Sequence, residues 1–254
     1  MESPGRVAFS IFGIDIMWYG LLIGAGFLVA FLMSYFRAPK LRIKKDHVLT
    51  IFIAVIPSAI IGARLYYVIF NWDMYQNNWA QIFNIRSGGL AIHGGLILAF
   101  LVTFIICKFT KERFLNVADL AVPGIALAQA IGRWGNFFNE EAHGPITDSP
   151  IAVIINGQKY VPTFLYESIW CLLLCLFLLW LTRRRKFDGQ ILYMYGMLYS
   201  VERFIVETYR TDSLMIGDLK QAQVISIVIF AVCLALYLLQ VYILHKAKKL
   251  KKKR

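Results

Sequence analysis

Charge is scarce in this chain. Only 17% of its 254 residues are Asp, Glu, Lys or Arg, 59% are hydrophobic, and the mean hydropathy is +0.61. That balance excludes an ordinary soluble domain, which carries about a quarter of its residues charged. Acidic residues are the scarcer sign, 15 against 27 basic, for a net charge of +12. Nucleic acid is not the partner this excess implies, because Lys and Arg fall in short runs between apolar stretches of about 20 residues, the length that crosses a bilayer. The four cysteines, Cys107, Cys171, Cys175 and Cys233, all lie inside those stretches. We place them on lipid-like apolar faces as packing residues, with no disulfide, thiol catalysis, metal or cofactor expected, since no metal-ligand spacing occurs. No basic segment precedes the first apolar stretch and no small-x-small cleavage site follows it, so the first helix is expected to be retained.

What is present is a membrane pattern. The apolar runs predict a single all-α transmembrane domain over residues 1–254, with spans near Ile14–Phe36, Val48–Phe70, Gly88–Lys108, Val117–Phe138, Thr163–Leu181, Gln190–Tyr209 and Gln221–Leu244. The sixth is the least apolar. The segments Arg37–His47, Lys108–Asn116, Arg183–Lys186 and Lys246–Arg254 hold five, three, four and seven basic residues, all on one side. The opposite side carries Arg6, Arg86, Lys159, Arg210 and Lys220. The positive-inside rule then puts the N-terminus outside, the C-terminus in the cytoplasm, and loops 71–87 and 139–162 outside.

Three basic residues, Arg64, Arg133 and Arg203, fall within predicted spans, where a charge costs at least about 2.5–3.5 kcal/mol and needs a partner or a wet cavity. With alternate helices running outward and inward, they come to the outer part of the bilayer. So do Tyr19, His93, Asn136, Tyr166, Glu167 and Glu207, while the inner halves hold almost nothing ionisable except Asp119 at a helix end. Arg203 and Glu207, one turn apart, share a face as either an ion pair or part of a site. A transporter for an anionic solute would want polar lining on both sides and an internal repeat, and neither is visible. A one-sided site lined by arginine suits a lipid phosphate, which a planar guanidinium can grip with two hydrogen bonds. Arg64 alone could equally snorkel outward. The glycines beside His93, namely Gly88, Gly89, Gly94 and Gly95, either admit substrate or let helices approach closely.

The most specific string is Gly132-Arg133-Trp134-Gly135-Asn136-Phe137-Phe138-Asn139-Glu140-Glu141-Ala142-His143-Gly144, polar where a helix should be leaving lipid. Asn136, Asn139 and Glu140 would share one helical face. The string resembles the signature G-R-x-G-N-F-x-N-x-E-x-x-G of the bacterial prolipoprotein diacylglyceryl transferases. Trp18-Tyr19-Gly20, His93-Gly94-Gly95-Leu96 and Arg203-Phe204-Ile205-Val206-Glu207 with Arg210 recur in the same order, so the likeness covers essentially the whole chain. It implies a multi-pass enzyme of the bacterial cytoplasmic membrane with its site towards the outer face. Such an enzyme moves the sn-1,2-diacylglyceryl group of phosphatidylglycerol to the lipobox cysteine thiol in the signal peptide of a preprolipoprotein.

In that reaction sulfur attacks a glyceryl carbon and glycerol phosphate leaves. We assign stabilisation of the leaving phosphate to Arg133 and Arg203. Arginine cannot be the base, having no acceptor lone pair at accessible pH, so His93 leads as base with Glu207 and Glu141 as competitors. Tyr19, Asn136, Glu141, Gly144, Glu207, Arg64 and Arg210 are expected to bind substrate. For Tyr19 and Asn136 a packing role is equally open. The loop residues Trp72, Tyr75, Trp79 and Tyr160 either receive the protein substrate or form an interfacial aromatic belt, and the belt is the better account of the tryptophans.

The charge pattern makes a direct topological prediction. Reporter fusions after Lys45, Arg185 and Arg254 should read cytoplasmic, and fusions within 71–87 or 139–162 should read external. A cytoplasmic reading for 139–162 would remove the depth argument along with the topology.

Overall fold

The computed structural model describes residues 1–76, 78–85, 88–210, 215–216 and 219–252, with the side chains of 216, 219, 251 and 252 left aside. Arg86, Lys253 and Arg254, all counted above in the charge pattern, lie outside the described residues. Among those described there are seven α-helices: α1 (Trp18–Arg37), α2 (Lys45–Phe70), α3 (Ile92–Thr110), α4 (Phe114–Asn139), α5 (Thr163–Thr182), α6 (Gln190–Tyr209) and α7 (Gln221–Lys252). Six of them are long and apolar enough to cross a membrane, which makes this a multi-pass membrane protein. The exception is α6. It has 20 residues, yet buries Gln190, Tyr193, Ser200, Glu202 and Glu207. Polar side chains of this kind are tolerated at membrane depth where they face protein instead of lipid.

The helix ends differ from expectation in four places, each for a local reason. Ile14–Met17 is not the start of the first span but a strand, β2, paired antiparallel with β1 (Val7–Ile11). The turn between them, Phe12-Gly13, takes left-handed φ values of 51° and 78°, as a two-residue hairpin requires. Gly88 and Gly89 also have positive φ, 86° and 73°, so the third helix begins only at Ile92. Glu140 leaves the helix with φ 57°, so it does not share a face with Asn136 and Asn139. The last helix continues past Leu244 into the basic tail as far as Lys252. Loop 139–162 holds a second hairpin, β3 (Val153–Ile155) with β4 (Gln158–Tyr160), turning on Asn156-Gly157 with φ 51° and 77°.

The chain divides into two compact units, residues 34–117 and residues 1–33 with 118–254. In the first, α2 and α3 cross at glycines. A Cβ on Gly94 would collide with the Gly62 carbonyl oxygen and the Tyr66 Cβ, and one on Gly62 would collide with the Gly94 carbonyl oxygen. Gly94 and Gly95 thus serve helix contact, in the way small residues do between membrane helices, where no hydrophobic force drives association. In the second unit, α1 meets α4 through Gly26 and Ala30 against Gly124 and Ala128, where a Cβ on Gly124 would stand 2.9 Å from Ala30 Cα.

The core of that unit joins α4, α5 and α6 through Val122, Ala126, Leu174, Cys175, Leu178 and Ile191. Cys107, Cys171 and Cys175 are buried inside protein and all four cysteines are free, as packing residues would be. Cys233 of α7 seats against Gly196 of α6, where no Cβ intervenes.

Gly94→Ala should therefore lower the thermal unfolding midpoint of the detergent-solubilised protein, by an overpacking cost of about 1–3 kcal/mol, because backbone cannot step aside. Gly24→Ala, with nothing within 4 Å of the added carbon, should leave the midpoint unchanged.

Candidate active site

Three helices of the second unit converge on one carboxylate. Glu167, in the second turn of α5, is fully buried. Its Oε1 lies 3.3 Å from Arg133 Nη2 of α4 and 3.5 Å from Arg203 Nη1 of α6. Arg203 Nη2 in turn stands 2.5 Å from Glu207 Oε2 one helical turn on, a charge contact without hydrogen-bond directionality. Arg133 Nη2 also donates to the Tyr199 hydroxyl at 3.3 Å. The i, i+4 spacing of Arg203 and Glu207 puts both on the face that α6 turns towards α4 and α5.

The cluster has a direction. The arginine side chains keep 18% and 20% of their surface accessible, whereas Glu167 keeps none and Glu207 4%. Cations thus form the accessible front and carboxylates the sealed back. All of Arg133's contacts use Nη2, which leaves Nε and Nη1 without a protein acceptor among the described residues. Those two nitrogens keep N–H groups that an anion could take, each as a single donor. Behind it lies Glu202, 3% exposed, with neither oxygen hydrogen-bonded among the described residues, within electrostatic range of Glu167, Arg133 and Arg203. Tyr195 stacks on Tyr199 and donates to Gln129 Oε1 at 2.9 Å. Trp134 donates to Ser168 Oγ at 3.2 Å, and Ser168 donates to the Ala130 carbonyl at 2.9 Å, tying α4 to α5 beside Arg133.

The end of α4 carries the remaining motif residues. Asn136 is buried, and its carbonyl accepts the Glu141 amide at 3.0 Å. Glu141 is exposed and its Oε1 accepts from Asn139 Nδ2 at 3.3 Å. Tyr19 packs edge-on over Gly135, where a Cβ would meet its ring at 2.5 Å, and Gly144 sits where a Cβ would meet Val161 Cβ at 2.8 Å. At the C-terminus of α6, Lys220 Nζ donates to the carbonyls of Glu207 and Arg210, both at 2.6 Å. A cation there complements the helix dipole.

In the other unit, Arg64 neither snorkels nor stands free. It is 6% exposed, and Nε, Nη1 and Nη2 donate to four loop carbonyls, those of Ile82, Gly88, Gly89 and Gln81, at 2.6–2.9 Å. Its guanidinium also lies over the Tyr75 ring. Arg64 therefore fastens the loop between α2 and α3 to α2. His93 is exposed in the first turn of α3, with the Tyr66 ring 6.2 Å away.

Sequence reasoning brought Arg203 and Glu207 together and put Arg133 at their depth. It named Glu167 without a role and passed over Glu202 and Tyr199. Two carboxylates inside predicted spans, one of them adjacent to Arg203, were the available signal. No group of His, Cys, Asp and Glu among the described residues could hold a metal ion.

Comparison with known proteins finds a family and close relatives. A family profile described as prolipoprotein diacylglyceryl transferase matches residues 6–239. A phosphatidylglycerol–prolipoprotein diacylglyceryl transferase of Clostridioides difficile is 51% identical over 223 residues, covering 88% of this chain and 90% of that protein. Its namesake in Finegoldia magna is 51% identical over 225 residues, 88% of this chain and 91% of its own. The one in Clostridium novyi is 47% identical over 232 residues, 87% and 90%.

The Arg64 geometry carries its own test. A lysine keeps the charge but presents donors from one point, which cannot reach carbonyls spread from Gln81 to Gly89. Arg64→Lys should make the segment around residues 71–90 more sensitive to limited proteolysis while the rest of the protein stays resistant, and an unchanged cleavage pattern would contradict the anchoring role.

Proposed function

The chain belongs to the prolipoprotein diacylglyceryl transferase family, and from that premise we propose that it transfers the diacylglyceryl group of phosphatidylglycerol to the lipobox cysteine thiol of preprolipoproteins. The chain is a transferase. The observation that carries the site reading is the pair Arg133 and Arg203, delivered from different helices to one buried carboxylate while their side chains keep 18% and 20% of their surface accessible. Topology completes the proposal: seven spans, N-terminus outside, C-terminus cytoplasmic, and the arginine cluster towards the outer face of the cytoplasmic membrane. The length of α6 and its packing between α5 and α7 support counting it as a span. Membership of the family favours this reading over a transporter of anionic solutes.

In this reading the lipid phosphate takes the accessible edges of Arg133 and Arg203, with Glu167 and Glu207 holding the two guanidiniums from behind. Sulfur attacks the glyceryl carbon that bears the phosphate ester, the carbon–oxygen bond breaks, and its electron pair leaves on glycerol phosphate. Each well-placed donor aimed at that developing charge is worth roughly 2.7–4 kcal/mol. The thiol proton must go to a base, because a free thiol near pH 7 is only a few per cent thiolate. His93 is proposed for that role on its residue type and its family motif, with Glu207 held by Arg203 and Glu141 as alternatives. Tyr19, Asn136, Glu141, Gly144 and Arg210 shape or bind around the headgroup. Arg64 acts through the outer loop.

The deciding experiment is direct. Purified protein incubated with phosphatidylglycerol and a lipobox peptide should yield a diacylglyceryl adduct on cysteine by mass spectrometry. The reading fails if no adduct forms and the protein instead carries anionic solutes across proteoliposomes. Arg133→Lys and Arg203→Lys keep charge but lose the planar fork, so each should reduce transfer about 100-fold or more while the protein remains inserted. Near-normal transfer in both would reduce the claim to a general need for positive charge. His93→Gln should lower turnover far more than lipid binding, and an acceptor thiol of lower pKa should restore part of it, because a pre-formed thiolate needs no base.

A further inference from the structure

Asp119, early in α4, is fully buried at the opposite end of the helix from the motif. Its Oδ1 accepts the amides of Ile191 at 3.0 Å and Leu192 at 2.8 Å, and its Oδ2 accepts the Gly189 amide at 2.8 Å and Arg185 Nη1 at 3.1 Å. Arg185 Nη2 also pairs with Asp188 at 3.1 Å, so the α5–α6 link is drawn onto the same carboxylate. The first amides of a helix have no acceptor within it, and a residue just ahead of the helix usually supplies one. Gly189, which precedes α6, has no side chain to do so. The cap for α6 comes instead from α4.

That cap fixes a register. From it the two helices run parallel, with further contacts at Gln129–Tyr195 and Arg133–Tyr199. Arg133 is 14 positions beyond Asp119, and Arg203 is 12 beyond Ile191. At 1.5 Å per residue these are about 21 Å and about 18 Å of helix. The difference is about 3 Å, two residues of rise, and both guanidiniums reach Glu167.

We propose that Asp119 is a positioning residue for the transfer reaction, capping α6 from α4 and thereby holding Arg203 level with Arg133. This rests on the reading that those arginines meet the phosphate. A slip of one residue along α6 would move Arg203 by about 1.5 Å and turn it about 100° away from Glu167. Misplacement of about 1 Å can cost about 100-fold in rate.

The test compares Asp119→Ala, Asp119→Asn and Arg185→Ala in detergent, with thermal unfolding recorded beside steady-state kinetics so that rates refer to folded protein. Asp119→Ala removes every cap bond and should lower kcat roughly 10- to 100-fold with KM for phosphatidylglycerol near its wild-type value. Asp119→Asn keeps an oxygen for the Ile191 and Leu192 amides and should lose less, and Arg185→Ala, which leaves the three amide bonds intact, should lose least. Wild-type kcat in folded Asp119→Ala overturns the proposal. Should that variant not fold, wild-type kcat in Asp119→Asn overturns it instead, as does a loss that falls wholly on KM. If Arg133→Lys and Arg203→Lys are impaired while the Asp119 series is normal, only the register proposal fails. If those two lysine variants are active, the arginine reading itself fails.

Discussion

One carboxylate organises the meeting of α4, α5 and α6. Glu167 is removed from solvent completely, and a desolvated carboxylate is tolerable only when cations and donors surround it. It finds them on two other helices. Arg133 and Arg203 are in turn charges at membrane depth that require an anionic partner. Each group thus makes the others admissible. What results is a constellation of guanidiniums that cannot spread apart without stranding a charge. Fixed charge of this kind can act on a developing phosphate anion without first having to reorganise.

The two units reach rigidity by different means. Around the arginine pair, polar contacts between helices do the work, with Asp119 at one end of α4 and α6 and Glu167 towards the other. Between α2 and α3, contact is made by glycine backbones. Arg64 then spends its guanidinium on loop carbonyls. Two intramembrane arginines of the same residue type consequently have opposite uses, one closing a loop and another facing a site.

Much of this was legible in the sequence because membrane helices announce themselves by apolar length and by the basic runs that end them. Arg203 with Glu207 followed from helical periodicity, and the depth of Arg133 followed from counting along its span. Other features were hidden. Gly88 and Gly89 read as part of an apolar run, although their positive φ keeps them out of the helix. The β1–β2 hairpin was masked by its own hydrophobicity, since Ile14 and Ile16 serve a strand as well as a span. Asn156-Gly157 carries a strong two-residue hairpin signal, which reading 139–162 as a plain loop passed over. Glu167 and Asp119 could be placed along the chain but not paired, because both act on residues more than 30 positions away, through contacts that only tertiary structure creates.

The central claim is that Arg133 and Arg203 act as one unit on a single phosphate. A double-mutant cycle of transfer rates, with Arg133→Lys, Arg203→Lys and the pair combined, tests it most directly. The double variant should lose little more than the worse single variant, because either change already breaks the shared clamp. Losses that multiply in the double variant would mean that the two arginines act independently, and would contradict it.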